Sequence, residues 1–309
     1  MASSVSAAGP RYPDFYLVGA AKSGTTSLFH YLAQHPSIFI PWKKEPHYFA
    51  DPSVFSGGSH STLESYLRLY EDCPREILAG DGSTSYLPSR SAAARIKEVR
   101  PEARILVILR NPVDRAYSHY WHQRVEFAER LSFEDAIKDE ARRIEQGLPY
   151  GFLYLRTGMY FEQLRRFIDV FGANVRVHLY DDLRSDPGAL CRDVFAFLEV
   201  DPGQHVDTGR MHHRSGPVRS RTLGRLLARP LPGRRKLVRR WPRWARTLRV
   251  RMSQRNVTAP PPMSADTRSM LTEVFRPDVE RLQGLLGRDL SSWLDAGSDR
   301  GPGQDSEPP

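Results

Sequence analysis

Tyr16-Leu17-Val18-Gly19-Ala20-Ala21-Lys22-Ser23-Gly24-Thr25-Thr26-Ser27 reads as a buried strand, a small-residue turn and the opening of a helix. Gly19 and Gly24 let the backbone turn tightly enough for successive N–H groups to point inward at an anion. A helix beginning near Thr25 adds its own open N–H groups and the positive end of its dipole. Lys22 brings a full charge, and Ser23, Thr25, Thr26 and Ser27 bring hydroxyls. The stretch suits a phosphate. Gly19 and Gly24 have the spacing of the nucleotide-triphosphate loop G-x-x-x-x-G-K-[ST]. Thr25, however, stands where that loop needs lysine, and the basic residue sits inside the turn. This departure counts against Mg·ATP chemistry.

Working outward, short apolar runs alternate with helical patterns. Strands are predicted over 15–18, 37–40, 76–79, 104–109 and 175–180, and helices over 26–34, 91–100, 112–124, 132–146, 158–171 and 187–198. A last helical stretch, 264–293, is capped by Ser264 or Asp266 and kinked or split by Pro277. The alternation predicts an α/β fold: a mostly parallel sheet with helices on both faces, in one domain over 13–295. Residues 1–12 and 296–309 read as disordered tails.

Of 309 residues, 26% are charged and 40% hydrophobic, which excludes a wholly disordered chain. No apolar run approaches the ~18 residues that span a bilayer. The amino terminus has no visible secretory signal, and two cysteines are too few for a disulfide framework, so a reduced, cytoplasmic protein is expected. The net charge of +9 is local: Arg210 to Arg255 holds 16 Lys and Arg with no acid, leaving 29 basic against 36 acidic residues elsewhere. Leucines and tryptophans interleave these arginines, as in basic amphipathic segments that could meet an anionic membrane surface. Nucleic acid is not the expected partner.

Three further stretches carry chemistry. In Ile105-Leu106-Val107-Ile108-Leu109-Arg110-Asn111-Pro112, a strand delivers Arg110 at its carboxyl end, and Ser118 lies on the helix that follows. Such an arginine and hydroxyl can clamp a second phosphate. Pro41-Trp42-Lys43-Lys44-Glu45-Pro46-His47-Tyr48-Phe49 follows the second strand, and either Glu45 or His47 could take a proton there as general base. Glu45 could equally be a charge partner of Lys22, Lys43 or Lys44. Gly80-Asp81-Gly82-Ser83-Thr84-Ser85-Tyr86 follows the third strand and offers Asp81 and Ser83 as cleft residues or as ordinary turn residues.

Together these motifs resemble sulfotransferases that use 3′-phosphoadenosine 5′-phosphosulfate (PAPS), with closest likeness to bacterial relatives of the heparan sulfate N- and 3-O-sulfotransferase branch. The likeness spans about residues 12–295 and implies a P-loop-kinase-like sheet. It implies that Lys22, Ser23, Gly24, Thr25, Thr26 and Ser27 hold the 5′-phosphosulfate, and that Arg110 and Ser118 hold the 3′-phosphate. Tyr160 would lie near the adenine, and Arg219 and Arg221 in a late basic loop closing over the nucleotide. Glu45 would be the base with His47 beside it, Lys22 would serve catalysis as well as binding, and Asp81 and Ser83 would face the acceptor. Gly82 stands where several animal members have lysine. No metal is implied. The acceptor, a glycan or small molecule with a hydroxyl or amine, stays open, as does the oligomeric state. The alternatives are a P-loop nucleotide kinase and a basic protein that binds anionic polymers or membranes.

Overall fold

The computed structural model describes residues 10–52, 62–125, 128–209 and 258–295. Arg219, Arg221, the basic segment 210–255 and the tail 296–309 lie outside the described residues. In chain order the elements are β1 (Phe15–Gly19), α1 (Thr25–Leu32), β2 (Ile38–Phe39), α2 (Leu63–Leu67), β3 (Leu78–Gly82), α3 (Ala92–Val99), β4 (Arg104–Leu109) and α4 (Pro112–Val125). There follow α5 (Phe133–Lys138), α6 (Glu140–Glu145), α7 (Tyr160–Phe171), β5 (Val175–Leu179), α8 (Tyr180–Ser185), α9 (Pro187–Phe197) and α10 (Ala265–Leu286). The chain divides into two compact units, Met1–Arg110 with Glu162–Met211, and Asn111–Phe161 with His212–Pro309.

The first unit holds the whole sheet. Its five strands are parallel and ordered β2-β3-β1-β4-β5, so β1 is central. All five residues of β1 are buried, as a parallel strand covered on both faces requires. The alternation of side chains divides the core. Phe15, Leu17, Leu106 and Ile108 pack with Leu28, Leu32, Val194 and Phe195 of α1 and α9. Tyr16 points to the opposite face and meets Phe49 edge-on, ring centroids 5.7 Å apart. From β1 the chain runs out to β2 on one side, and from β3 it crosses to β4 on the other. The carboxyl end of β1 is therefore the point where winding reverses, the place where open parallel sheets bind ligands.

Two differences from the sequence reading in this unit have clear causes. The third strand runs over 78–82 rather than 76–79, because Gly82, polar by neighbourhood, continues the ladder. A Cβ at Gly82 would lie 2.6 Å from the Phe29 ring, so only glycine lets that ring close over the strand. The short helix α8 went unread in its polar run Tyr180–Ser185. It is started by the Asp182 carboxylate, which accepts the Leu179 N–H at 3.0 Å.

The second unit is helical. The stretch 132–146 is divided at Asp139 into α5 and α6, and the Asp139 carboxylate is held down to about 2 by Arg142 and Arg143. Ser264, not Asp266, caps α10, accepting the Thr267 N–H at 3.1 Å. Pro277 neither ends nor splits α10, which runs on to Leu286. Next to it, Asp278 accepts the N–H of Tyr160 at 2.6 Å and caps the start of α7. Arg143 and Glu129 form a buried pair at 2.7 Å, completed by the Tyr154 hydroxyl at 2.9 Å. Among the described residues no helix is long and apolar enough to cross a membrane.

Candidate active site

The turn after β1 is pinned on both flanks. The Ala20 N–H reaches the Ile108 carbonyl of β4 at 2.7 Å, and the Leu87 N–H reaches the Val18 carbonyl at 3.0 Å. Between these anchors Lys22 adopts a left-handed backbone, φ 69°, and Gly24 follows at φ 88°. Such values are rare for a residue with a side chain and turn successive N–H groups to one side. Gly24 is also the N-cap of α1, and it supplies no side chain to bond the open N–H groups of the first turn, which carries no acid either. Ser23 is fully buried, and its hydroxyl oxygen has no hydrogen-bond partner. An orphaned buried hydroxyl at the N-terminus of a helix, beside a lysine, fits a phosphate group, whose oxygens would accept from that hydroxyl and from the first-turn N–H groups. Thr25 and Ser27 are buried beside it and Thr26 half-buried.

Arg110 stands directly after β4. Its Nη1 donates to the Lys22 carbonyl at 3.2 Å, and its guanidinium lies over the Tyr180 ring, 4.7 Å from the centroid. Tyr180 also packs against the turn, since a Cβ at Gly24 would lie 3.1 Å from its ring. One aromatic ring at the end of β5 thus fixes both the arginine and the turn, and nothing in the local sequence announced it.

The stretch after β2 comes to the same end of the sheet through the stretch after β3. The Glu45 N–H donates to the Gly82 carbonyl at 2.9 Å, and the His47 N–H donates to Ser83 Oγ at 3.2 Å. Glu45 Oε2 accepts the Thr84 N–H at 2.8 Å, and Oε1 meets Lys44 Nζ at 2.5 Å. Of the three lysines offered by the sequence as partners for Glu45, Lys44 forms the pair. The Thr84 hydroxyl also reaches Glu45 Oε1, at 3.2 Å. Three donors against about four lone pairs leave the carboxylate an acceptor position for one more proton. His47 Nδ1 lies 2.8 Å from Ser85 Oγ and 3.5 Å from Glu45 Oε2. Both Glu45 and His47 have φ 60°.

Asp81 and Ser83 are buried behind this segment, at 1% and 0% exposure. The carboxyl end of β3 carries them inward, beside the packed rings of Tyr16, Phe49, Tyr66 and Tyr86. Burial pushes the Asp81 carboxyl up to about 6, against the pull of hydroxyl donors from Tyr86, Ser83 and Tyr66, and nearby Glu45 adds to the rise. Tyr66 in α2 and Thr84 are the contributions the sequence reading missed. Thr84 sat within a quoted motif, while Tyr66 carries no local signal.

Ser118 and Tyr160 belong to the second unit. Ser118 is half-buried on α4, a helix capped by Asn111, whose Oδ1 accepts the Val113 N–H at 2.9 Å. Tyr160 is fully buried, at 0% exposure. Among the described residues no three His, Cys, Asp or Glu side chains are grouped to hold a metal ion.

The family model for the sulfotransferase domain matches residues 12–215. The bifunctional heparan sulfate N-deacetylase/N-sulfotransferase 4 of Mus musculus is 28% identical over 302 residues, covering 91% of this chain and 31% of its own. The bifunctional heparan sulfate N-deacetylase/N-sulfotransferase 3 of Homo sapiens is 26% identical over 304 residues, covering 92% and 31%. The chain thus spans about a third of the length of these curated relatives. A crystal structure of a sulfotransferase from Alicyclobacillus acidocaldarius superposes with a TM-score of 0.72 at 34% identity, covering 92% of this chain and 99% of that one. With a family match across about two thirds of its length, and with the parallel sheet in place, the chain belongs to the sulfotransferase family of enzymes.

Proposed function

We propose that the protein moves a sulfuryl group from PAPS to an acceptor hydroxyl or amine, with Glu45 as general base. The observation that carries this reading is the cluster of left-handed residues. Lys22, Glu45 and His47 all hold φ between 60° and 69° in the segments after β1 and β2. Backbone strain of this kind concentrates where side chains must be held for function.

PAPS, when bound, supplies an activated sulfuryl group on a phosphate leaving group. The Lys22 turn, the open N–H groups of α1 and the orphaned Ser23 hydroxyl would hold its 5′-phosphosulfate, and Arg110 a phosphate at the other end. Glu45 takes the proton from the acceptor as the acceptor oxygen or nitrogen bonds to sulfur and the bond from sulfur to the phosphate oxygen breaks. Lys22 meets the negative charge that grows on that oxygen. His47, held through Nδ1 by Ser85, is set to orient the acceptor beside the base.

A glycan is the acceptor class best supported. Trp42, three residues before Glu45, is 88% exposed, an unusual state for so large an apolar side chain and a flat face on which a sugar ring can stack. Relatives named for heparan sulfate point the same way.

Thermal shift with PAPS and with ATP, each with and without Mg²⁺, tests the donor. Stabilisation by PAPS that needs no Mg²⁺ is expected, and stabilisation by Mg·ATP alone would refute the reading. Lys22→Ala should abolish transfer even at saturating PAPS, because its contact strengthens in the transition state. Unchanged turnover would remove Lys22 from the mechanism.

A further inference from the structure

The acceptor segment 45–47 is held by three consecutive residues. Gly82 takes the Glu45 N–H through its carbonyl, Ser83 takes the His47 N–H through its hydroxyl, and Thr84 donates to the Glu45 carboxylate. Two of the held residues, Glu45 and His47, sit in a sparsely populated backbone region. That region persists only where the surroundings over-determine it. What over-determines it here lies beneath. Asp81, 1% exposed, accepts hydrogen bonds from Ser83 Oγ at 2.9 Å on one oxygen. On the other it accepts from the Tyr66 hydroxyl at 2.9 Å and the Tyr86 hydroxyl at 2.8 Å.

We propose that Asp81 is a positioning residue: its ionised carboxylate, acting through Ser83, locks the Glu45–His47 segment in the geometry that catalysis uses. The proposal rests on the assignment of Glu45 as base. The logic is one of hydrogen-bond direction. Three hydroxyl hydrogens point at the carboxylate, and a carboxylate can only accept. Ser83 spends its one hydrogen on Asp81, which orients its lone pairs toward the His47 N–H. A proton added to Asp81 must point at one of the three hydroxyls, and that hydroxyl must then turn its own hydrogen away from the carboxyl and give up its bond to it. If the hydroxyl is that of Ser83, the grip on His47 is disturbed directly.

The titratable groups facing Asp81 are the phenols of Tyr16 on β1, Tyr66 on α2, Tyr70 and Tyr86, and the carboxylate of Glu45. Burial, the largest influence, raises the Asp81 carboxyl to about 6, so the lock would release within an accessible pH range.

Hydrogen exchange read by mass spectrometry on the full chain tests this without an acceptor. After correction for intrinsic rates, Asp81→Asn near neutral pH should speed exchange of the Glu45 and His47 amides by about tenfold or more. The β4 amides should stay protected. The wild-type protein should loosen in the same peptide as pH falls through about 6. Tyr66→Phe and Tyr86→Phe each remove one donor to the ionised carboxylate while keeping the ring, and should move that release to higher pH. They decide the matter should Asp81→Asn fail to fold. Unchanged exchange over 44–48 in Asp81→Asn, or an unshifted release in both tyrosine variants, overturns the proposal.

Transfer from PAPS to an N-desulfated heparin oligosaccharide gives a second readout. Asp81→Asn should lower kcat while affinity for the 3′,5′-bisphosphate product, read by calorimetry, stays within about twofold. An equal loss of both would mean general collapse and would count against positioning. Glu45→Gln separates the two layers. If it is crippled while Asp81→Asn turns over at the wild-type rate, Asp81 alone is wrong. If it keeps full activity, the base assignment fails and takes this proposal with it.

Discussion

Replacing Asp81 by asparagine should change how stability depends on pH, and the size of the change follows from the burial of the carboxyl. In the folded protein the group titrates near 6, against 3.8 when unfolded, a gap of roughly two pH units. At about 1.36 kcal/mol per unit, ionising Asp81 costs the fold on the order of 3 kcal/mol. Its pKa is raised on folding, so the native state binds more protons than the unfolded state between those two values. Its contribution to stability is therefore complete below about pH 3.8, declines as pH rises through about 6, and is flat above. Asparagine has no such slope. It can still accept from Ser83 or a tyrosine, but its NH₂ confronts a hydroxyl donor, so a cost independent of pH is added. Burial pushes Asp51 and Glu129 up, but the bonds they accept together hold them below the ordinary range, from Ser91, Ser89 and the Arg90 N–H for Asp51 and from Arg143, the Leu131 N–H and Tyr154 for Glu129, so both slope the opposite way. Those slopes are common to both proteins and cancel in the difference. Urea denaturation of the two proteins from about pH 4 to 7.5 measures that difference directly. The stability of the wild type relative to the variant should fall by about 2.5 kcal/mol across that range, most of the full value. Curves that stay parallel within about 0.5 kcal/mol would refute the argument and show that Asp81 is better solvated than its burial implies.

Three other outcomes are expected. Arg110→Ala should weaken binding of the 3′,5′-bisphosphate product by roughly 10- to 100-fold, the loss of one charge-assisted contact, and should spare an analogue lacking the 3′-phosphate; calorimetry with both ligands checks it, and equal losses would remove the assignment. Glu45→Gln should cut transfer by about 10²–10⁴-fold with PAPS affinity kept, and a mild Glu45→Gln beside a crippling His47→Ala would exchange the two roles. Trp42→Ala should raise the KM for a glycan acceptor without altering PAPS affinity, measured by initial rates against each substrate in turn; an unchanged acceptor KM would leave the exposed ring without a part in recognition.

The fold was legible in the sequence where apolar runs were long and their ends marked. β4, with Ile-Leu-Val-Ile-Leu at its centre, was read to the residue, and β1 to within one. The third strand was read short because its residues 80–82 look like turn formers in isolation. They pair with β1 while the Phe15 ring closes on Gly80 and the Phe29 ring on Gly82, contacts fixed by residues more than fifty positions away in sequence. The candidate site divides in the same way. Lys22 and Arg110 announce themselves by charge at the ends of two strands, and they come together through the Lys22 carbonyl. Asp81 was visible as a residue but not as a role. Whether an aspartate after a strand faces solvent or an aromatic cluster depends on Tyr66 and Tyr86, and the pattern of apolar residues does not report that.

The strained residues show how the site is tied to the fold. Among the described residues, four other than glycine have positive φ: Lys22, Glu45, His47 and Glu199. Glu199 has a local reason, since it follows α9, where a left-handed residue commonly closes the last turn. The other three follow no helix. Each left-handed side-chain residue costs about 1–3 kcal/mol unless its surroundings pay for it. For Lys22 the return is local: the turn between β1 and α1 that opens N–H groups toward an anion. For Glu45 and His47 it comes from residues 81–86, through hydrogen bonds to Gly82, Ser83, Thr84 and Ser85. The same segment is bonded to β1, with the Ser83 N–H on the Leu17 carbonyl at 3.1 Å and Leu87 on Val18. The strand that leads into the Lys22 turn therefore also fixes the frame of Glu45 and His47, so the two halves of the candidate site are placed by one piece of backbone. A change that shifts the carboxyl end of β1 should disturb both together, whereas a change in Asp81 should reach the base alone.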